Sequence, residues 1–169
     1  METLDGTRPV QPGQDEMQNA ARDDGGEIAA DNTAHNTAPA SLAGPALRLL
    51  LVDDSVDAVM AMSFLLEADG YDVRVAHEGR HALEVAAQFE PEIVLLDLGL
   101  PGMDGCQLAE EMRKRACTAH ALLIAVTGYG QPSDRQRSHE AGFDHHLVKP
   151  VSPEEIQRVI NGRFPGGQR

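Results

Sequence analysis

Five short apolar runs, separated by stretches with helical spacing, restrict this chain more than any other feature. The runs are Leu47–Val52, Tyr71–Ala76, Ile93–Leu96, Ala121–Val126 and His145–Val148. A continuous apolar strand followed by an amphipathic helix, repeated five times, is the pattern of a parallel sheet covered on both faces. The intervening segments support this. Ser55–Asp69 carries Val59, Met62, Leu65 and Leu66 on one stripe, with Asp54 or Ser55 as its cap and Gly70 as its stop. Ala82, Val85, Ala86 and Phe89 mark a second helix and Gln107–Cys117 a third. Ser133–Ala141 reads as a helix with almost no apolar stripe and therefore weak anchorage. The last helix begins at Pro153, where a missing N–H does no harm, and turns Ile156, Val159 and Ile160 to the core. Tyr71–Ala76 alternates Val73 and Val75 with Asp72 and Arg74, as a half-exposed edge strand does. The expected fold is a doubly wound α/β sheet.

Residues 1–45 differ in texture. They are rich in Gly, Pro, Asn, Gln, Asp and Ala, and eight acidic residues against two arginines give them a net charge of −6, nearly half of the −13 of the whole chain. Such a composition cannot bury enough apolar surface to fold, so an acidic disordered tail is expected at 1–45, an active domain at 46–165 and a short C-terminal tail at 166–169. The negative charge argues against non-specific binding to nucleic acid or to an anionic membrane. No apolar run approaches the roughly 20 residues that span a bilayer, and Met1–Val10 lacks the features of a signal peptide, so a cytoplasmic location is expected. Cys106 and Cys117 fall about three turns apart on one expected helix and cannot pair there. His77 and His81 have the i, i+4 spacing of a helical chelate, but no cysteine or acidic pattern completes a zinc site.

The chemistry lies in where the polar residues fall. Asp53 and Asp54 follow the first strand, Asp97 ends the third, Thr127 ends the fourth and Lys149 follows the fifth. Open α/β sheets bind ligands at the carboxyl ends of their strands, in the crevice where strand order reverses. With order 2-1-3-4-5 that crevice lies between the first and third strands, which makes Asp54 and Asp97 neighbours. Each residue alone has an ordinary explanation: an Asp after a strand caps a helix or forms a turn, Lys149 is a solvated lysine, and Gly102 and Gly105 are turn residues. The combination resists that explanation. Two carboxylates about 4 Å apart repel by roughly 4 kcal/mol at an effective dielectric near 20, so a fold keeps three together only where a cation uses them. Hard carboxylate oxygens suit Mg²⁺.

The segments LLLVDDS, IVLLDLGLPGMDG, IAVTGYG and HHLVKPV resemble, in order and spacing, the four signature segments of response regulator receiver domains from two-component systems. The resemblance covers residues 47 to about 163, and the stretch from Val126 to Val151 is similar in particular to receivers of hybrid sensor histidine kinases. It implies a flavodoxin-like five-stranded parallel sheet of order 2-1-3-4-5. It implies further that Asp97 is the phosphoacceptor for a phosphohistidine on a histidine kinase or histidine phosphotransfer protein. Asp54 and Asp97 would ligate Mg²⁺ directly, Asp53 mostly through water, and Gly99 through its backbone carbonyl. Lys149 would neutralise developing charge, Thr127 would donate its hydroxyl to the acyl phosphate, and small Gly128 would leave the phosphoryl group room. The Lys149–Pro150 bond would be cis. Such a domain is a signalling phosphoacceptor, capable only of self-catalysed phosphoryl transfer and slow autodephosphorylation, and its output goes to another protein. One departure stands out: receivers usually carry Tyr or Phe three residues before the lysine, where this chain has His146. Two rivals fare worse. A haloacid dehalogenase-like phosphatase needs a second Asp two residues after its nucleophile, where Gly99 stands, and a flavodoxin-like cofactor binder needs a Ser/Thr/Gly-rich loop where Asp53 and Asp54 would repel a phosphate. A degenerate receiver used only for binding would be expected to lack some of these five key residues.

Overall fold

Within each strand, successive residues leave the sheet on opposite faces, and in the central strands of this chain both sets are largely apolar. The computed structural model describes residues 46–165. The segments 1–45 and 166–169, for which tails are expected, lie outside the described residues. The strands β1 (Arg48–Val52), β2 (Asp72–Ala76), β3 (Ile93–Asp97), β4 (Leu122–Thr127) and β5 (His145–Val148) alternate with the helices α1 (Val56–Ala68), α2 (Gly79–Phe89), α3 (Gly105–Arg113), α4 (Pro132–Glu140) and α5 (Pro153–Arg163). All strand pairs are parallel and the order is β2-β1-β3-β4-β5.

One face of the sheet buries Leu50, Val52, Val94, Leu96, Leu123 and Ala125 against Ala82 and Ala86 of α2 and Leu108, Ala109 and Met112 of α3. The other buries Leu49, Leu51, Ile93, Leu95 and Ile124 against Val59 and Leu66 of α1 and Ile156 and Ile160 of α5. Each large side chain taken fully out of water contributes about 1.5–3 kcal/mol. β3 is buried along its whole length, whereas β2, on the edge, exposes Asp72 and Arg74.

Gly70 stops α1 with φ of 92°, a conformation that other residues adopt at a cost. Leu65 departs from the expected apolar stripe: it is 42% exposed, and Val59 and Leu66 alone in α1 are buried. The start of this helix also differs from expectation. Ser55 occupies the cap position without a side-chain bond, and Asp53 Oδ1 instead accepts from Ser55 N at 2.8 Å.

α3 ends at Arg113, one turn before the expected end at Cys117, which lies in the following turn with both cysteines free. The cause is tertiary. Thr118 Oγ1 donates to the Met112 carbonyl at 2.6 Å, and the Arg113 guanidinium donates to the carbonyls of Gly142, Ala119 and Ala121 at 2.8, 3.1 and 2.7 Å. It also pairs with Asp144 at 2.7 Å. These bonds turn the chain out of the helix and tie the end of α3 to the start of β5. His77 likewise falls before α2, where its Nδ1 lies 3.0 Å from the Asp53 carbonyl, so it shares no helix face with His81.

Candidate functional site

The carboxyl ends of β1, β3, β4 and β5 converge because parallel strands all end on the same edge of the sheet. Ladder hydrogen bonds extend just beyond the strands: Asp53 N donates to Ala76 O at 3.2 Å, Leu98 N to Val126 O at 3.0 Å and Lys149 N to Thr127 O at 2.7 Å. The chain is therefore still held by the sheet where the polar residues emerge, and their positions are set by the core rather than by mobile loops.

Lys149 Nζ sits between two carboxylates, 2.8 Å from Asp53 Oδ2 and 2.7 Å from Asp97 Oδ2. Asp53 and Asp97 are each 8% exposed. Their other oxygens are held from the backbone, Asp53 Oδ1 by Ser55 N and Asp97 Oδ1 by Gly99 N at 3.0 Å. Burial works to lower the pKa of Lys149, but its hydrogen bonds to both carboxylates and their charges outweigh burial and raise it above the ordinary 10.5. The ammonium is thus fixed as a cation beside Asp97.

Asp54 is exposed and completes the acidic group. Asp53, Asp54 and Asp97 can each present one oxygen within 4.8 Å of the others. Three carboxylates face one ammonium, and all offer hard oxygen donors at a spacing that fits a small divalent cation. This is the donor set expected for Mg²⁺.

Thr127, 4% exposed, ends β4, and its Oγ1 accepts from Tyr129 N at 3.1 Å, a bond that leaves its own hydroxyl hydrogen unused. A cavity of about 350 Å³ opens here, lined by Asp97, Gly99, Thr127, Gly128 and Lys149 among others. A Cβ at Gly128 would meet nothing within 4 Å, so the space beside Thr127 is open. Across Lys149 lies a second cleft of about 450 Å³, floored by Leu51 and Leu95 and walled by Met62 and Ile156, whose lining is mostly apolar. The Lys149–Pro150 peptide bond is cis.

His146 lies outside the 350 Å³ cavity. Its Nδ1 is 2.9 Å from Ser138 Oγ on α4 and its Nε2 is 3.2 Å from the Tyr129 carbonyl, so it joins β5 to α4 and to the loop before it. Sequence reasoning gave no role to several residues that line the cavity, among them Asp104, Cys106, Asp134 and Arg137. Asp104 stands in the PGMDG segment, which reads only as turn chemistry; it caps α3 by accepting from Cys106 N at 2.9 Å. Burial, then the charge of Asp104, pushes the Cys106 thiol up, which keeps it protonated and unreactive. Arg137 forms an ion pair with Asp104, and nothing in the polar sequence of α4 singles it out.

The chain belongs to the response regulator receiver domain family, whose model matches residues 49–161. It is similar to the protein PilH of Pseudomonas aeruginosa, with 33% identity over 119 residues, or 70% of this chain and 98% of PilH. Among solved structures it resembles the chemotaxis response regulator CheY4 of Vibrio cholerae, with 29% identity and a TM-score of 0.64 over 68% of this chain and 98% of that one. It also resembles the receiver domain of the sensor histidine kinase PA1611 of Pseudomonas aeruginosa PAO1, which holds a magnesium ion in its active site cleft. There the identity is 26% and the TM-score 0.65, covering 72% of this chain and 99% of that one. Receiver domains are signalling modules that bind Mg²⁺ and exchange signals with histidine kinases or phosphotransfer proteins. Family membership separates the chain from the dehalogenase-like and flavodoxin-like readings. Among the described residues no helix is long and apolar enough to cross a membrane.

Proposed function

We propose that this chain is a phosphoacceptor of a cytoplasmic two-component phosphorelay, with Asp97 as the acceptor. The observation that carries the reading is the environment of the Asp97 carboxylate, almost fully buried, bonded to the Lys149 ammonium, and open to a cavity with Thr127 on its wall. An Asp97 oxygen attacks the phosphorus of a phosphohistidine on a histidine kinase or phosphotransfer protein. The P–N bond breaks, its electron pair leaves with the imidazole, and an acyl phosphate forms. Transfer of this kind is catalysed mainly by positioning and by neutralising charge on the phosphoryl oxygens. Lys149 supplies one positive charge there, and the Thr127 hydroxyl donates to a phosphoryl oxygen of the product. Asp54 and Asp97 directly, Asp53 through water and the Gly99 carbonyl would hold Mg²⁺, which when bound supplies further charge neutralisation. Asp97 itself returns to a carboxylate when water hydrolyses the acyl phosphate. The output goes to another protein through the face formed by α4, β5 and α5, with Thr127 and His146 relaying the change.

Incubation of the full chain with acetyl phosphate and Mg²⁺ should add one phosphoryl group by intact mass, and Asp97→Ala should add none. Undiminished labelling of the variant would remove Asp97 from the role. Millimolar Mg²⁺ should raise the melting temperature by relieving repulsion among the three carboxylates, and Asp54→Ala should blunt that rise. An equal rise in Asp54→Ala would place the ion elsewhere.

A further inference from the structure

Arg137 and Lys149 are the two cationic side chains that line the acceptor cavity. Lys149 is already committed, between Asp53 and Asp97. When the Asp97 carboxylate becomes an acyl phosphate, the negative charge on that side chain rises from one unit to roughly two, in a cavity that Asp104 and Asp134 also line, and three acceptor oxygens appear. Arg137 is placed and equipped to answer that change. Its guanidinium offers a planar fork of donors that matches phosphoryl oxygens in a bidentate manner, as an ammonium cannot.

Its present partner is easily given up. The Arg137 and Asp104 side chains are 65% and 33% exposed, and ion pairs so open to water contribute little. Asp104 also does not depend on the arginine. Its Oδ1 accepts from Cys106 N at the start of α3, a bond that persists if Oδ2 returns to water. The helix that carries Arg137 is similarly loose, since Ser138 is the single buried residue of α4.

We propose that Arg137 is a second phosphoryl-binding residue, held in reserve by Asp104, which exchanges Asp104 for the phosphoryl group on Asp97 and draws α4 toward the site. This rests on Asp97 being the acceptor. The exchange makes and breaks only ion pairs and hydrogen bonds. It also supplies a direct mechanical link from the phosphoryl group to α4, parallel to the relay through Thr127 and His146.

The test is beryllofluoride affinity in the full chain with Mg²⁺, read from amide NMR shifts of α4 and β5. Arg137→Gln should weaken binding roughly tenfold, the size of a charge-assisted hydrogen bond less the exposed pair surrendered. Arg137→Lys should recover part of that loss. Asp104→Asn keeps a capping side chain but removes the competing charge, so it should tighten binding a few-fold in the parent and leave it unchanged when combined with Arg137→Gln. Equal affinities for the parent and Arg137→Gln would overturn the proposal, as would an equal gain from Asp104→Asn with and without Arg137. A parent that fails to bind beryllofluoride at all would instead overturn the phosphoacceptor reading itself.

Discussion

α3 and α4 are both nine residues long and are consecutive helices of the chain, yet they are attached to the molecule by different means. α3 buries Gly105, Cys106, Leu108, Ala109 and Met112, and its first turn is so close to β3 that a Cβ at Gly105 would lie 2.7 Å from the Leu98 Cα. α4 buries Ser138 alone and is held to the rest of the molecule by polar contacts, Ser138 to His146 and Arg137 to Asp104, while Asp134 Oδ2 accepts from Gln131 N at 3.1 Å to cap the helix itself. Apolar burial is non-directional and is lost only by exposing surface to water, whereas hydrogen bonds can be exchanged for others of similar strength. A helix of the first kind fixes the loop that follows Asp97. One of the second kind can change position when the charge in the neighbouring cavity changes.

The largest test of this contrast is Met112→Ala, which should cost about 2–5 kcal/mol in denaturant unfolding, because α3 loses a fully buried side chain and leaves a void. A cost below about 1 kcal/mol would mean that α3 is anchored no better than α4. His146→Phe should be milder, about 1 kcal/mol or less globally, since it removes half-buried polar contacts. It should nonetheless speed hydrogen exchange of the α4 amides selectively and leave those of α3 unchanged. Uniform acceleration across both helices would erase the distinction. The smallest effect belongs to Lys149. Its raised pKa means that the stability it contributes is fully present below the ordinary lysine value of 10.5 and is lost as pH rises through the higher folded value. With more than a third of the side chain in contact with solvent the contribution is screened. The melting temperatures of the parent and Lys149→Met should therefore differ modestly at neutral pH and converge in alkali. A gap that widens with pH would contradict the sign.

The same contrast governs what could be read from the sequence. β1, β3 and β4 are legible because buried parallel strands are apolar at every position, and Asp97, Thr127 and Lys149 stand out as the polar residues that end or follow such runs. The weak anchorage of α4 is legible too, since its composition lacks an apolar stripe. The early end of α3 is not, because Arg113 and Thr118 stop the helix through carbonyls of residues up to 29 positions away. Leu65 looks like a core residue by spacing, but the part of α1 that is buried is the one carrying Val59 and Leu66. The Asp104–Arg137 pair is invisible for the same reason as the end of α3, since 33 residues and a complete strand separate its members.

The two margins of the sheet carry a consequence for crowded conditions. An open sheet presents unpaired N–H and C=O groups along its outermost strands, and these are templates on which another copy can add a strand and begin a fibrillar stack. On the β2 side, Asp72 and Arg74 put charge of both signs along the rim. On the other side, β5 has four residues and is followed one residue later by Pro150, which has no N–H to offer. Neither margin is a good seed for edge-to-edge polymerisation, so among the described residues the sheet's own backbone stays closed to added strands even at high concentration.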